Sequence, residues 1–244
     1  MKKFLLSLSV LLLVVFFCKE IIPLNIEKPK TVATFSQSTT ERKSIGSIPS
    51  AKIELFATEE KGNLINFTLQ VDGRTISFPT WKNVTNKAYY PELYYSDINN
   101  DGTKEIVIVL TTGYGSDVVI KDVHVFNRNQ KNNYEEKQVE NPISIINKNV
   151  ETKLTNSTAT IKIGDKVSEI NVEQLGIVPT HLFQNIAFGS ILDFKVIDNK
   201  LNAIVGATIA PSGGYIGDIN IIYTFKDNIY QMEEIRLVPV GELR

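Results

Sequence analysis

Asp97, Asn99 and Asp101 stand at alternate positions of one short polar run, Asp97-Ile98-Asn99-Asn100-Asp101-Gly102-Thr103-Lys104-Glu105. A hard cation such as Ca²⁺ takes about six to eight oxygen ligands at about 2.3–2.6 Å. Acidic and amide side chains at alternate positions of a tight loop point their oxygens at one centre. Gly102 takes the positive φ that turns the chain. The Thr103 carbonyl and the Glu105 carboxylate then complete the shell. Asp97, Asn99, Asp101, Thr103 and Glu105 are therefore the predicted Ca²⁺ ligands. Asp, Asn and Gly also favour plain turns, but a turn needs no three carboxylates at this spacing. Without a cation, those carboxylates repel one another. The run is not an EF-hand. Its flanks read as strands, and Ile108 holds the twelfth position, where an EF-hand places Glu.

Other candidate chemistry is weaker. Gly113-Tyr114-Gly115-Ser116-Asp117-Val118 opens like a dinucleotide loop, but Val118 stands where the third glycine belongs, and a strand follows instead of a helix. A glycine hairpin is the better reading. Ala210 to Asp218 (APSGGYIGD) is a similar loop. If the two loops share a rim, Tyr114 and Tyr215 form a ligand surface, with Tyr89, Tyr90, Tyr94 and Tyr95 as further contributors; packing of strands and turns is the plainer alternative. His124 and His181 lie in no HExxH motif, and no G-x-S-x-G elbow is present. Both histidines read as structural or exposed, and Trp81 reads as a core anchor. Asn66, Asn83 and Asn156 each open an N-x-Ser/Thr sequon, which an Asn-rich chain also produces by chance.

The elements that must position these residues are strands. From Lys52 on, short alternating apolar runs are broken by turn residues, which predicts antiparallel sheets. KIELFA, LINFTLQV and RTISF form a first group, with Asp72-Gly73 as a hairpin turn. ELYYSD, EIVIVLT, DVHVF and YEEKQV form a second. TKLTN, TATIKI and VSEINV form a third around Gly164-Asp165. LDFKVID, LNAIVGATI, INIIYTF and YQMEEIRLV form a fourth. One short helix is expected over HLFQNIAF, with Thr180 as its N-cap. Groups two and four follow the same order of strand, turn, apolar strand, Gly-Tyr loop and aromatic-ended strand. This predicts an internal duplication over about 92–140 and 190–238. The expected fold is all-β, built of antiparallel four-stranded meanders in a propeller-like or sandwich arrangement.

The first fifty residues read differently. Lys2 and Lys3 precede an uncharged stretch, Phe4 to Cys18, that is short for a spanning helix. Residues 1–24 are expected to be a signal peptide or an N-terminal membrane anchor. Cys18 has the place of a lipoprotein cysteine, yet bulky Phe17 precedes it, where a small residue is required. Residues 25–50 are rich in Ser, Thr and Lys with no apolar period, the composition of a flexible stalk. The folded domain is expected over 51–244. Cys18 is the only cysteine of the 244 residues, which excludes an intrachain disulfide and a multi-cysteine metal site. The net charge of −1 leaves no cationic surplus for nucleic acid.

DINNDGTKEIVIV resembles the calcium loop of FG-GAP and VCBS-type repeats, D-x-[DN]-x-D-G-x-x-[DE]. In that family the loop joins the first two strands of a propeller blade and precedes an apolar strand. The resemblance implies calcium at Asp97, Asn99, Asp101, Thr103 and Glu105. Glu105 replaces the usual Asp, and no F-G-x-A-P segment is present. The matching turn of the second copy, Asp198-Asn199-Lys200, lacks the acidic spacing and is expected to hold no ion. The expected function is that of an exported, secreted or cell-surface calcium-binding β-domain, a binding or structural module. It would touch a membrane only through its N-terminal segment and meet an extracellular partner. The alternative is a secreted hydrolase of wall polymer or glycan, which needs two carboxyl groups about 5–9.5 Å apart in a cleft.

Overall fold

The computed structural model describes residues 41–242. The expected export segment over 1–24, Cys18 and most of the stalk lie outside them. The described part of the stalk does not match its reading. β1 (Lys43–Ile48) pairs antiparallel with β2 (Ile53–Glu60), so ordered pairing starts before Ala51. Ile45 is the inward apolar residue that the Ser/Lys-rich composition hides.

β3 (Asn63–Val71) and β4 (Arg74–Phe78) continue this sheet, and β5 (Asn83–Val84) pairs with β3. The hairpin turns are Lys61-Gly62 and Asp72-Gly73, all four residues at positive φ. That is the turn whose twist matches the flanking strands.

Two four-stranded meanders follow. The first is β6 (Glu92–Ser96), β7 (Glu105–Gly115), β8 (Val118–Arg128) and β9 (Tyr134–Val139). After it come α1 (Pro142–Asn149) and a small sheet of β10 (Val150–Leu154), β11 (Thr158–Ile163) and β12 (Lys166–Asn171). The second meander is β13 (Ala187–Ile197), β14 (Lys200–Thr208), β15 (Tyr215–Lys226) and β16 (Ile229–Pro239). Inside each meander the pairings are antiparallel. Between them, two short parallel seams make one sheet. Gln138 and Val139 pair with Ile229 and Tyr230, and Val119 and Ile120 pair with Ile191 and Leu192.

β7 explains the layering. Its run EIVIVLT is apolar at every position after Glu105 up to Thr111. Such a run belongs to a strand covered on both faces. Val107 and Val109 join the main core with Val205, Ile219 and Ile221. Ile106, Ile108 and Leu110 join a second core with Leu55, Phe67 and Leu69 of the first sheet. That is the sandwich arrangement: the β1–β5 sheet packs on one face of the first meander. A propeller would keep its blades as separate sheets, whereas here the meanders share one.

The helix expected over HLFQNIAF does not form. Pro179–His181 is a single 3-10 turn whose cap makes no side-chain hydrogen bond. The Phe183 amide donates to the Ile209 carbonyl instead, which ties this segment to the end of β14. The one α-helix among the described residues is α1. Asn141 caps it through Oδ1, which accepts from the Ser144 amide at 3.0 Å, and Pro142 opens it. Ile145 and Ile146 bury its inner face. Cap plus Pro at the first position outweighs the stronger apolar look of the other segment.

Asn83, one of the three sequon asparagines, is tied into the fold. It is fully buried, and its amide nitrogen donates to the Val84 and Tyr89 carbonyls, each at 2.8 Å. Its Oδ1 accepts the Thr111 amide at 2.6 Å. An asparagine so engaged is no glycan acceptor; it stitches the 83–90 segment to β7. Asn83→Ala strands the buried Thr111 amide and is expected to cost about 2 kcal/mol in urea unfolding.

Candidate functional site

The acidic loop joins the first two strands of the first meander. Ser96 and Glu105 are paired at its base. Inside it, Asp97 Oδ1 accepts the Asp101 amide at 3.1 Å, and Oδ2 accepts the Gly102 amide at 3.0 Å. Asn99 Oδ1 accepts the same Asp101 amide at 2.9 Å. Asp101 Oδ1 accepts the Thr103 amide at 2.7 Å. Asn100 and Gly102 take positive φ, which bends the chain around these side chains.

Glu105 lies fully buried beneath the loop. Its Oε2 accepts the Ile98 amide at 2.9 Å, and its Oε1 accepts Asn99 Nδ2 at 3.2 Å. The same Nδ2 donates to Asp101 Oδ2 at 3.0 Å. Asp97, Asn99, Asp101 and Glu105 thus belong to one hydrogen-bonded cluster. Burial first, then the charges of Asp101 and Asp97, pushes the Glu105 carboxyl up to about 7. Ile98 and Asn99 offset only part of that.

The chemistry of this donor set fits a hard cation: three carboxylates, an amide and the Thr103 carbonyl, all oxygen. Asn99 presents its nitrogen, not its oxygen, to Asp101 and Glu105. Among the described residues, no three His, Cys, Asp or Glu side chains stand in a metal-holding arrangement. The corresponding turn of the second meander, Asp198-Asn199, is a two-residue hairpin at positive φ. There Asn199 Oδ1 accepts the Ser96 hydroxyl at 2.5 Å.

The two Gly-Tyr loops do share a rim, but not as a tyrosine pair. A cavity of about 280 Å³ is lined by Ser116 and Asp117 from the β7–β8 turn and by Gly213 and Tyr215 from the β14–β15 loop. Ser190 and Ile191 of β13 close it. Tyr114 is not among its lining residues. It stacks on Tyr89 with centroids 4.5 Å apart. Tyr90 and Tyr95 pack on the second core, and Tyr94 packs on the main one and donates to Glu92 at 2.7 Å. The Gly113–Val118 run is a hairpin, as its missing third glycine indicated.

His124 is structural. Its ring stacks on Trp81 at 3.8 Å, and Trp81 stacks on Phe78 at 3.8 Å. Its Nδ1 shares a hydrogen bond with Glu136 at 2.6 Å. Trp81 is buried in the second core, as expected. His181 is exposed on the 3-10 turn.

Several of the carboxylates are held by neighbouring groups. Glu136 is held by His124, and Glu140 by Lys148 and the Met232 amide. Glu92 and Asp193 flank the Lys121 ammonium at 2.5 and 2.7 Å. That trio was missed in the sequence, because its members come from β6, β8 and β13. Its one signal was a lysine inside the apolar run VVIKDVHVF. Compared with family profiles, curated proteins and solved structures, the chain matches none.

Proposed function

We propose that the chain is an exported, cell-surface or secreted β-domain that binds Ca²⁺ in the 97–105 loop and acts as a binding or structural module. The observation that supports this best is the gathering of Asp97, Asn99, Asp101 and Glu105 into one cluster over a fully buried carboxylate. A buried acid pushed upward by neighbouring acids is the environment that a divalent cation relieves. The resemblance of this loop to the FG-GAP and VCBS type supports the same reading. The basic residues and apolar run at the N-terminus support export.

Asp97, Asn99, Asp101, Glu105 and the Thr103 carbonyl would hold the ion. The Asn99 amide must then present its oxygen in place of the nitrogen that now bridges Asp101 and Glu105. The ion would clip the β6–β7 connection rather than drive a reaction. Extracellular modules of this kind bind with Kd of about 10⁻⁴–10⁻³ M, so millimolar calcium outside a cell fills them.

Thermal melting against calcium tests the reading. Calcium at ten times Kd is expected to add about 1.4 kcal/mol, and EGTA to remove it. Asp101→Asn is expected to shift the response to higher calcium. A melting point that ignores millimolar calcium overturns the proposal.

A further inference from the structure

The cavity beneath the two Gly-Tyr loops is built rather than incidental. Between Phe188 and Leu192, β13 advances by two residues more than its partner β14, which runs only from Ala207 to Val205. This bulge frees Ile191 to pair with Val119 of β8 and sets Ser190 against the cavity. Gly206 lets the bulge approach: a Cβ there would lie 2.9 Å from the Ile191 Cβ. Gly214 lets its loop fold back, since a Cβ there would lie 2.3 Å from the Ala210 amide nitrogen. The Ile209 amide donates to the Gly214 carbonyl at 2.8 Å and closes that fold. Both walls are therefore fixed before any ligand arrives. At about 280 Å³ the space is near the lower end of ligand sites, roughly 300 Å³.

Its chemistry is one-sided. Asp117 is the one charged side chain in the lining, and no Lys or Arg is in it. Ser190 Oγ is buried and has no hydrogen-bond partner. A buried hydroxyl left without a partner is costly, and a ligand that supplies one relieves that cost. Tyr215 and Phe183 add aromatic rings to otherwise aliphatic walls. An unpartnered hydroxyl, one carboxylate and aromatic faces together suit a ligand that carries N–H donors and positive charge.

We propose that this cavity binds a small primary ammonium ligand with an apolar body, its charge near Asp117 and its body between Tyr215 and Phe183. The inference rests on the binding-module reading and not on the calcium loop. A neutral sugar would gain nothing from the exposed Asp117 carboxylate, and an anion would be repelled by it.

Titration of the ¹⁵N-labelled protein in EGTA tests this, with benzylamine, benzyl alcohol and benzoate as probes. Benzylamine is expected to move the amides of Val118, Gly213 and Gly214 saturably. Benzyl alcohol should bind about tenfold more weakly, and benzoate should leave these amides in place. Asp117→Asn should weaken benzylamine about tenfold and leave benzyl alcohol unchanged. Equal binding of the alcohol, preference for benzoate, or no saturable shift at these amides overturns the proposal. Because the titration is run without calcium, failure of the loop shows only in melting and failure of the cavity only here.

Discussion

In EGTA, raising the pH from about 5 to about 8 is expected to lower the stability of this protein by about 2–3 kcal/mol through Glu105 alone. The carboxyl sits at an ordinary 4.5 in the unfolded chain and near 7 in the fold. Between those values the folded state keeps a proton that the unfolded state has released. Unfolding then sheds protons, so stability falls as pH rises through the window. Below about 4.5 both states are protonated, and the penalty is absent. Each tenfold between the two values is worth about 1.4 kcal/mol, which sets the upper limit near 3 kcal/mol.

Glu105→Gln isolates the effect, because it keeps the shape and removes the charge. The variant is expected to be flatter than the parent over this range when urea midpoints are compared at each pH. It should also lose the response to calcium. Saturating calcium is expected to reverse the slope in the parent, since a bound ion would take the carboxylate form and exclude the proton. Parallel pH profiles for parent and Glu105→Gln in EGTA would remove Glu105 from any role in the loop.

Much of the chain was legible where one local rule decides. Asp72-Gly73 fixes its hairpin turn, and RTISF and YEEKQV became β4 and β9 at their expected bounds. The acidic run stood out because five oxygen-bearing positions fall within nine residues. The order of strands in the two meanders was legible as well. The helix was not, because a capping asparagine and a proline are a quiet signal beside a run such as HLFQNIAF. Tyr114 does not line the cavity with Tyr215, because its ring stacks on Tyr89. The parallel seams were invisible for a plainer reason. They join residues about seventy to ninety positions apart through only two pairs each, and no period in the sequence encodes that.

One of those seams carries the second large effect. Lys121→Ala is expected to cost about 2–3 kcal/mol in urea unfolding. Lys121 lies on β8 beside the seam to β13, and its buried ammonium touches Glu92 of β6 and Asp193 of β13. Burial alone would push the Glu92 carboxyl up, but hydrogen bonds from Lys121 and Tyr94 outweigh it and hold the group below its ordinary value. Burial would likewise lower the lysine, yet Asp193 and Glu92 hold it above its ordinary range. Removing the ammonium leaves two carboxylates facing each other with only the half-exposed Lys195, 3.8 Å from Asp193, as counter-charge. Breaking a fully buried pair costs about 3–5 kcal/mol. The lower figure applies here because the Glu92 side chain keeps 40% of its exposure. The loss should shrink in acid. Glu92, being depressed, gives stability that is present above its unfolded value and is lost as pH falls through the folded one. Lys121→Met with Glu92→Gln and Asp193→Asn should recover most of the stability, since a neutral trio demands no compensation. A Lys121→Ala loss below about 0.5 kcal/mol would reduce the trio to an ordinary surface ion pair. The two meanders would then be held by β-ladder and core alone.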